Sequence, residues 1–220
     1  LRTLISESKM LKKSAFELHR RRLNWRLVAK NEIAKCFRDA CDSATKLSYP
    51  FSMYCNVHDD TKNEETVQLS SGVNHTGIVE KIDKPDEKGW KAETEKGAAL
   101  VASFGSNGTV AFIIYPYKSD RHSRNEDNII LYHNLSPDAV TDELIKRCIG
   151  KFLLYVRNSS IYGGYSLSFF DRMHINMMIL IDIRNRKQLY RNAFGLVAEW
   201  SKIIGAGIAG YIVAILTQGS

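Results

Sequence analysis

From Met10 to Leu47 the chain has no proline and no glycine. Either residue would break or weaken a helix interior, so the segment reads as one long helix. Ile33, Phe37, Ala40, Ala44 and Leu47 step by 4, 3, 4 and 3 and form a single apolar stripe. Phe16, Leu23 and Leu27 extend that stripe less regularly toward the N-terminus. Tyr49-Pro50 closes the helix, because a residue before proline is pushed out of the helical region.

The same segment carries most of the charge. Residues 9 to 38 hold Lys9, Lys12, Lys13, Arg20, Arg21, Arg22, Arg26, Lys30, Lys35 and Arg38 against only Glu17 and Glu32, or +8 where the whole chain is +7. The rest of the chain is therefore nearly neutral. A basic arm on a neutral body attracts polyanions. Lys12, Lys13, Arg20, Arg21, Arg22, Arg26 and Lys30 are the residues expected to meet an anionic lipid or a nucleic acid. They concentrate where the apolar stripe is weakest, so that half is expected to project while the later half packs.

Beyond the helix, residues 56 to 96 are polar, with ten acids and six lysines, and only Val67 to Leu69 and Ile78-Val79 read as edge strands. Ala99 to Phe104 and Thr109 to Tyr115, joined by Gly105-Ser106-Asn107-Gly108, read as a hairpin. Ile129 to His133 is a further strand. Ser136-Pro137-Asp138 reads as a helix start, with Ser as cap and an acid in the first turn, and the helix runs to about Arg157. Tyr165 to Phe170 and Met173 to Ile183 read as a second hairpin, since every odd position from 173 to 183 is apolar. The order of elements segregates strands from helices and excludes a parallel α/β sheet. The expected fold is α+β. A long N-terminal helix and a central helix pack on a mainly antiparallel sheet of about five strands, followed by a C-terminal hydrophobic helix. Three segments are expected: a basic helix over 1–48, an α+β core over 49–185 and a helical segment over 186–220.

The C-terminal segment has its own pattern. Residues 203 to 216 are an uncharged apolar run, preceded by Arg184, Arg186, Lys187, Arg191 and Lys202 with Trp200 at the junction. Ala206, Gly210 and Ala214 recur every four residues, which lets helices approach closely in lipid or in a soluble oligomer. The bases and Trp200 fit a membrane boundary with its basic side cytosolic. Fourteen residues span only about 21 Å as a helix, short of the roughly 30 Å of a bilayer core, so burial within the protein competes with membrane insertion.

Motifs for chemistry are missing. The sequence holds no phosphate-binding glycine loop, no HExxH, no GxSxG and no paired CxxC, and no cofactor, metal or catalytic residue is assigned. The four cysteines and the lack of a recognisable secretory signal favour free thiols and a cytoplasmic setting at the inner face of a membrane. These features point to a non-enzymatic, membrane-associated or self-assembling protein, a homo-oligomer or member of a complex. By analogy, a membrane-perturbing effector of the bacterial toxin or defence type fits. The alternatives are a nucleic-acid-binding subunit acting through the basic helix, and a hydrolase or nuclease with a dispersed site.

Overall fold

The computed structural model describes residues 2–59, 65–84, 87–121, 124, 126–163 and 166–184. The N-terminal helix is one rod in three parts: α1 (Arg2–Asn24), a π turn (Trp25–Ala29) and α2 (Lys30–Lys46). Trp25, Ala29, Ile33 and Phe37 are all buried. A repeat of four drifts around an α-helix of 3.6 residues per turn. The π turn, closed by the Lys30 N–H on the Trp25 carbonyl, takes up one extra residue and keeps all four on the body side. The rod ends where Ser48 adopts φ +50. Its N–H reaches the Thr45 carbonyl at 3.1 Å and the Tyr49 N–H reaches Ala44 at 2.9 Å, which is a Schellman closure.

The main sheet has five antiparallel strands in the order β1 (Met53–Asp59), β2 (Glu65–Ser71), β5 (Ala99–Phe104), β6 (Val110–Tyr115) and β7 (Ile129–Leu135). Between β2 and β5 the chain makes a separate two-stranded ribbon, β3 (Asn74–Lys84) with β4 (Glu87–Glu95). Val67, Leu69, Leu100, Ala102, Phe104, Val110, Phe112 and Ile114 are buried. They alternate along their strands and share one face of the sheet. Two helices supply the other half of the core. α2 buries Ile33, Ala34, Cys36 and Phe37, and α3 (Asp142–Ser159) buries Ile145, Cys148, Phe152, Tyr155 and Val156. The architecture is α+β, with the long and central helices on a mostly antiparallel five-stranded sheet.

Four details differ from the sequence reading. The segment around Val67 is not an edge strand: β2 lies between β1 and β5. Ser136-Pro137-Asp138 opens only a 3₁₀ turn, and Thr141 caps α3, accepting from the Leu144 N–H. Phe16, Leu23 and Leu27 do not continue the packed stripe, since all three are exposed. The expected strand from Met173 is a helix, α4 (Phe169–Ile181). Ser168 and Asp171 explain it. The Asp171 carboxylate accepts the Ser168 N–H at 3.1 Å, and the Arg172 N–H takes the Ser168 carbonyl as the first helical bond; this is the reach-back half of a capping box, with Asp in the Glu position. The chain divides into two compact units, Leu1–Ile175 and Asn176–Ser220. The division falls within α4, which is itself continuous. The expected C-terminal hydrophobic helix lies outside the described residues.

The β5–β6 turn sets where the rod meets the sheet. Gly108 has φ +78, and a Cβ there would stand 2.8 Å from Leu18 Cδ1. Gly108→Ala is therefore expected to lose at least about 1 kcal/mol of stability, with Leu18 displaced. Ser48→Gly relieves the same left-handed conformation at the end of α2 and is expected to gain about 1 kcal/mol. Urea titrations of both variants check the opposite signs.

Candidate polyanion-binding surface

Every described side chain from Thr3 to Phe16 is exposed. The rod first meets the body at Leu18, over Gly108, and is locked at Trp25, whose ring lies flat on Phe104 with centroids 5.1 Å apart. α1 thus stands clear of the sheet for roughly its first four turns.

The seven expected polyanion ligands divide into two groups. Lys12 and Lys13 are exposed, as is Lys9, and none of the three has an ion pair among the described residues. The others bind the protein itself. Arg20 pairs with Asp138 at 2.8 Å and with Glu17 at 3.1 Å. The hydrogen bonds it donates to Glu17, then Asp138, push its guanidinium above the ordinary arginine value. Arg22 donates to the Ser106 carbonyl at 3.3 Å in the β5–β6 turn. Arg26 pairs with Glu65 at 3.3 Å. Lys30 is buried and donates to the His58 carbonyl at 3.3 Å. Arg21 is half-buried, with its Nε out of solvent and without a hydrogen-bond partner among the described residues. Trp200, Ala206, Gly210 and Ala214 lie outside the described residues.

On the solvent side of the rod a second row appears. Ile5, Lys9, Lys12, Phe16, Arg20, Leu23 and Leu27 step by 4, 3, 4, 4, 3 and 4 and fall on one line along the helix. All seven are exposed, Phe16 to 64% and Leu27 to 70%. Four apolar and three cationic side chains share this line, on the side away from Leu18 and Trp25. Phe16, Leu23 and Leu27, expected from the sequence to pack, instead share this line with Lys9, Lys12 and Arg20.

Elsewhere the chemistry-bearing groups act as fasteners. A cleft of about 290 Å³ between α2 and α3 is lined by Lys35, Cys36, Asp39, Ala40, Ser43, Asp142, Lys146 and Ile149. Its thiol, Cys36, points at the Asp142 carboxylate 3.8 Å away. Burial first, and Asp142 second, push that thiol up, so it is not an activated nucleophile. Burial likewise pushes Cys41 up to about 11 and Cys148 up to about 12. All four cysteines are free. Glu95, buried on β4, accepts from Asn74 at 3.1 Å, from the Ile161 N–H at 2.9 Å and from the Ser160 hydroxyl, tying the ribbon to the end of α3. Tyr155, buried on α3, donates to Glu126 at 2.6 Å, and Arg124 reaches the same carboxylate at 2.7 Å. No group of three or more His, Cys, Asp or Glu placed to hold a metal occurs among the described residues. Nor is any described helix long and apolar enough to cross a membrane.

The chain matches no protein family, no curated protein and no solved structure at a significant level.

The division of the bases is testable by stability alone. Lys9→Gln, Lys12→Gln and Lys13→Gln together are expected to leave the denaturation midpoint within about 0.5 kcal/mol of the parent, whereas Lys30→Ala is expected to cost about 1.5–3 kcal/mol through its lost charged hydrogen bond. Glu126 supplies a pH test. Burial alone would raise its carboxyl, but the hydrogen bonds from Tyr155 and Arg124 outweigh burial and hold it below the ordinary value. A depressed acid adds stability above the unfolded-state value and loses it as pH falls through the native one. The stability of the parent is therefore expected to fall below about pH 4.3, and Glu126→Gln should be less stable at pH 7 with a shallower acid slope.

Proposed function

We propose that this is a non-enzymatic protein that binds an anionic membrane surface through α1. One observation carries the reading: the exposed line that Ile5, Phe16, Leu23 and Leu27 share with the unpaired Lys9 and Lys12. A helix of this kind lies in a lipid interface, apolar side chains among the acyl chains and lysines reaching up to the headgroups. Phosphates of a nucleic acid would satisfy the lysines equally well. They would leave three aliphatic side chains in water, which is why lipid is favoured. The cytosolic leaflet carries the negative surface potential this arm fits.

Cosedimentation of the full chain with vesicles tests it. Binding is expected with a phosphatidylcholine–phosphatidylserine mixture and not with phosphatidylcholine alone. The Lys9, Lys12 and Lys13 triple glutamine variant should lose about 1 kcal/mol per lysine, or roughly a hundredfold in all. Phe16→Ser should weaken binding to the same vesicles without changing its salt dependence. Leakage of a trapped dye on binding would extend the reading to a membrane-perturbing effector. Retention of duplex DNA with no affinity for either vesicle would replace it with the nucleic-acid reading. The self-assembly reading rests on Ala206, Gly210 and Ala214, and Gly210→Leu should lower the oligomer fraction if those residues pack helices closely.

A further inference from the structure

The sequence holds one Asn-Gly pair, Asn107-Gly108, and the fold places it in the β5–β6 turn under Leu18 of α1. A glycine nitrogen has no Cβ beside it, so it approaches the side-chain carbonyl of a preceding asparagine with the least hindrance. The turn favours that attack further. Asn107 is exposed, and its Oδ1 accepts the Thr109 hydroxyl at 2.8 Å and the Thr109 N–H at 3.3 Å. Two donors on a carbonyl oxygen draw electron density from Cγ and stabilise the oxyanion that forms when a nucleophile adds to it. Both donors belong to the turn itself and need nothing from the rod.

The seated rod opposes the same reaction. The Gly108 N–H is bonded to the Gly105 carbonyl at 2.9 Å, with Gly108 at φ +78. Leu18 Cδ1 lies 2.8 Å from where a Gly108 Cβ would stand, and Arg21 Cβ lies 3.5 Å from it. Arg22 holds the neighbouring Ser106 carbonyl at 3.3 Å. Before the Gly108 nitrogen can face Cγ, its peptide must rotate and its N–H must leave Gly105. Leu18 and Arg21 cover the glycine where that rotation takes place. The reaction therefore runs from an opened turn, and its rate follows the fraction of time the root of α1 is lifted.

We propose that Asn107 is a self-modifying asparagine, held closed by the docked α1, whose conversion to isoaspartate prevents α1 from seating again at Gly108. The Gly108 nitrogen gives its proton to a solvent base and forms a bond to Asn107 Cγ. The Cγ–Nδ2 bond breaks, and the amide leaves as ammonia with a proton returned from solvent. A cyclic succinimide remains. Water opens it at Cγ to give aspartate, or at the main-chain carbonyl carbon to give isoaspartate, and water is the only reactant consumed. Isoaspartate carries the main chain through the side-chain methylene, which adds a carbon to the turn. The bond from the Gly105 N–H to the Thr109 carbonyl, 2.8 Å long, closes that turn. A longer main chain cannot keep this closure and also hold Gly108 beneath Leu18.

The folded full chain is incubated in buffer at mildly alkaline pH, and the tryptic peptide over residues 97–118 is followed by mass spectrometry. Conversion is expected at Asn107 ahead of every other asparagine, through an intermediate lighter by ammonia, with isoaspartate identified by an isoaspartyl-specific methyltransferase. Leu18→Ala should convert roughly tenfold faster, since it removes the cover over Gly108, and Leu18→Met at the parental rate. Thr109→Val added to Leu18→Ala should slow it again by removing one oxyanion donor. Hydrogen exchange over residues 16–24 should be faster in the isoaspartyl chain than in Asn107→Asp, which has the charge without the added carbon. The parent unfolded in urea serves as the unrestrained reference, which keeps the comparison decisive should Leu18→Ala not fold. A folded parent that converts as fast as this reference overturns the proposal, as does a folded Leu18→Ala chain that converts at the parental rate. So does an isoaspartyl chain whose residues 16–24 exchange as in the parent.

Discussion

Trp25 lying flat on Phe104 is the contact on which the rest of the molecule turns. N-terminal to it the rod is exposed from Thr3 to Phe16; C-terminal to it the rod shares with α3 the helical side of the hydrophobic core. The π turn that begins at Trp25 brings the two regimes into register. It lets a tryptophan and an alanine four residues apart face the same sheet that Ile33 and Phe37 face. Large aromatic burial at this one position fixes the direction in which α1 leaves the body. A helix built only from α2 would have its first buried apolar side chain at Ile33, two turns later.

The charge of the rod follows the same division. A block of +8 looks uniform along the sequence, yet its members have different partners. Arg20, Arg22, Arg26 and Lys30 reach Asp138, the Ser106 carbonyl, Glu65 and the His58 carbonyl. Together these acceptors span the β5–β6 turn, the 3₁₀ turn before α3, and β1 and β2. The exposed pairs among them are worth little individually, but each one also aligns the rod. Lys9, Lys12 and Lys13 align nothing. Their charge is available for a partner, and they stand on the part of the helix that the protein does not touch.

The fold was legible where hydrophobic period and turn chemistry agreed. The β5–β6 hairpin, with Gly108 at the residue that needs positive φ, and the glycine-free rod are both read directly from residue order. The reading failed where one pattern satisfied two periods. From Met173 to Ile183 the odd positions are all apolar, but so are Met178 and Leu180, so alternation there carried little information. Ser168 and Asp171, three residues apart, were the better signal and a purely local one. The 3₁₀ turn at Pro137 failed for a similar reason: Ser136 and Thr141 are both good caps followed by acids, and only packing of Ile145 and Cys148 selects the second. The candidate surface was half legible. Its charge is plain in composition, but sequence cannot separate a base that fastens from one that is exposed, because Asp138 and Glu65 meet the rod only after folding.

The exposed line on α1 also bears on why α1 is a helix at all. Isolated helices of this length are marginal in water, and most helical stability in proteins comes from packing an amphipathic side. Before Leu18 the rod has no such packing. Its interior lacks helix breakers, and continuity with α2 removes the cost of nucleation, so the helix needs only to propagate outward from Trp25. Propagation into water gives little per residue and leaves Ile5, Phe16, Leu23 and Leu27 hydrated. A lipid interface changes both quantities in the same direction, since it removes apolar area from water and makes an unbonded backbone expensive. The surface that would take up those side chains is therefore also the surface that would most firmly hold the segment helical. Binding and helix stability are then one equilibrium rather than two, with the Trp25 anchor as its fixed end.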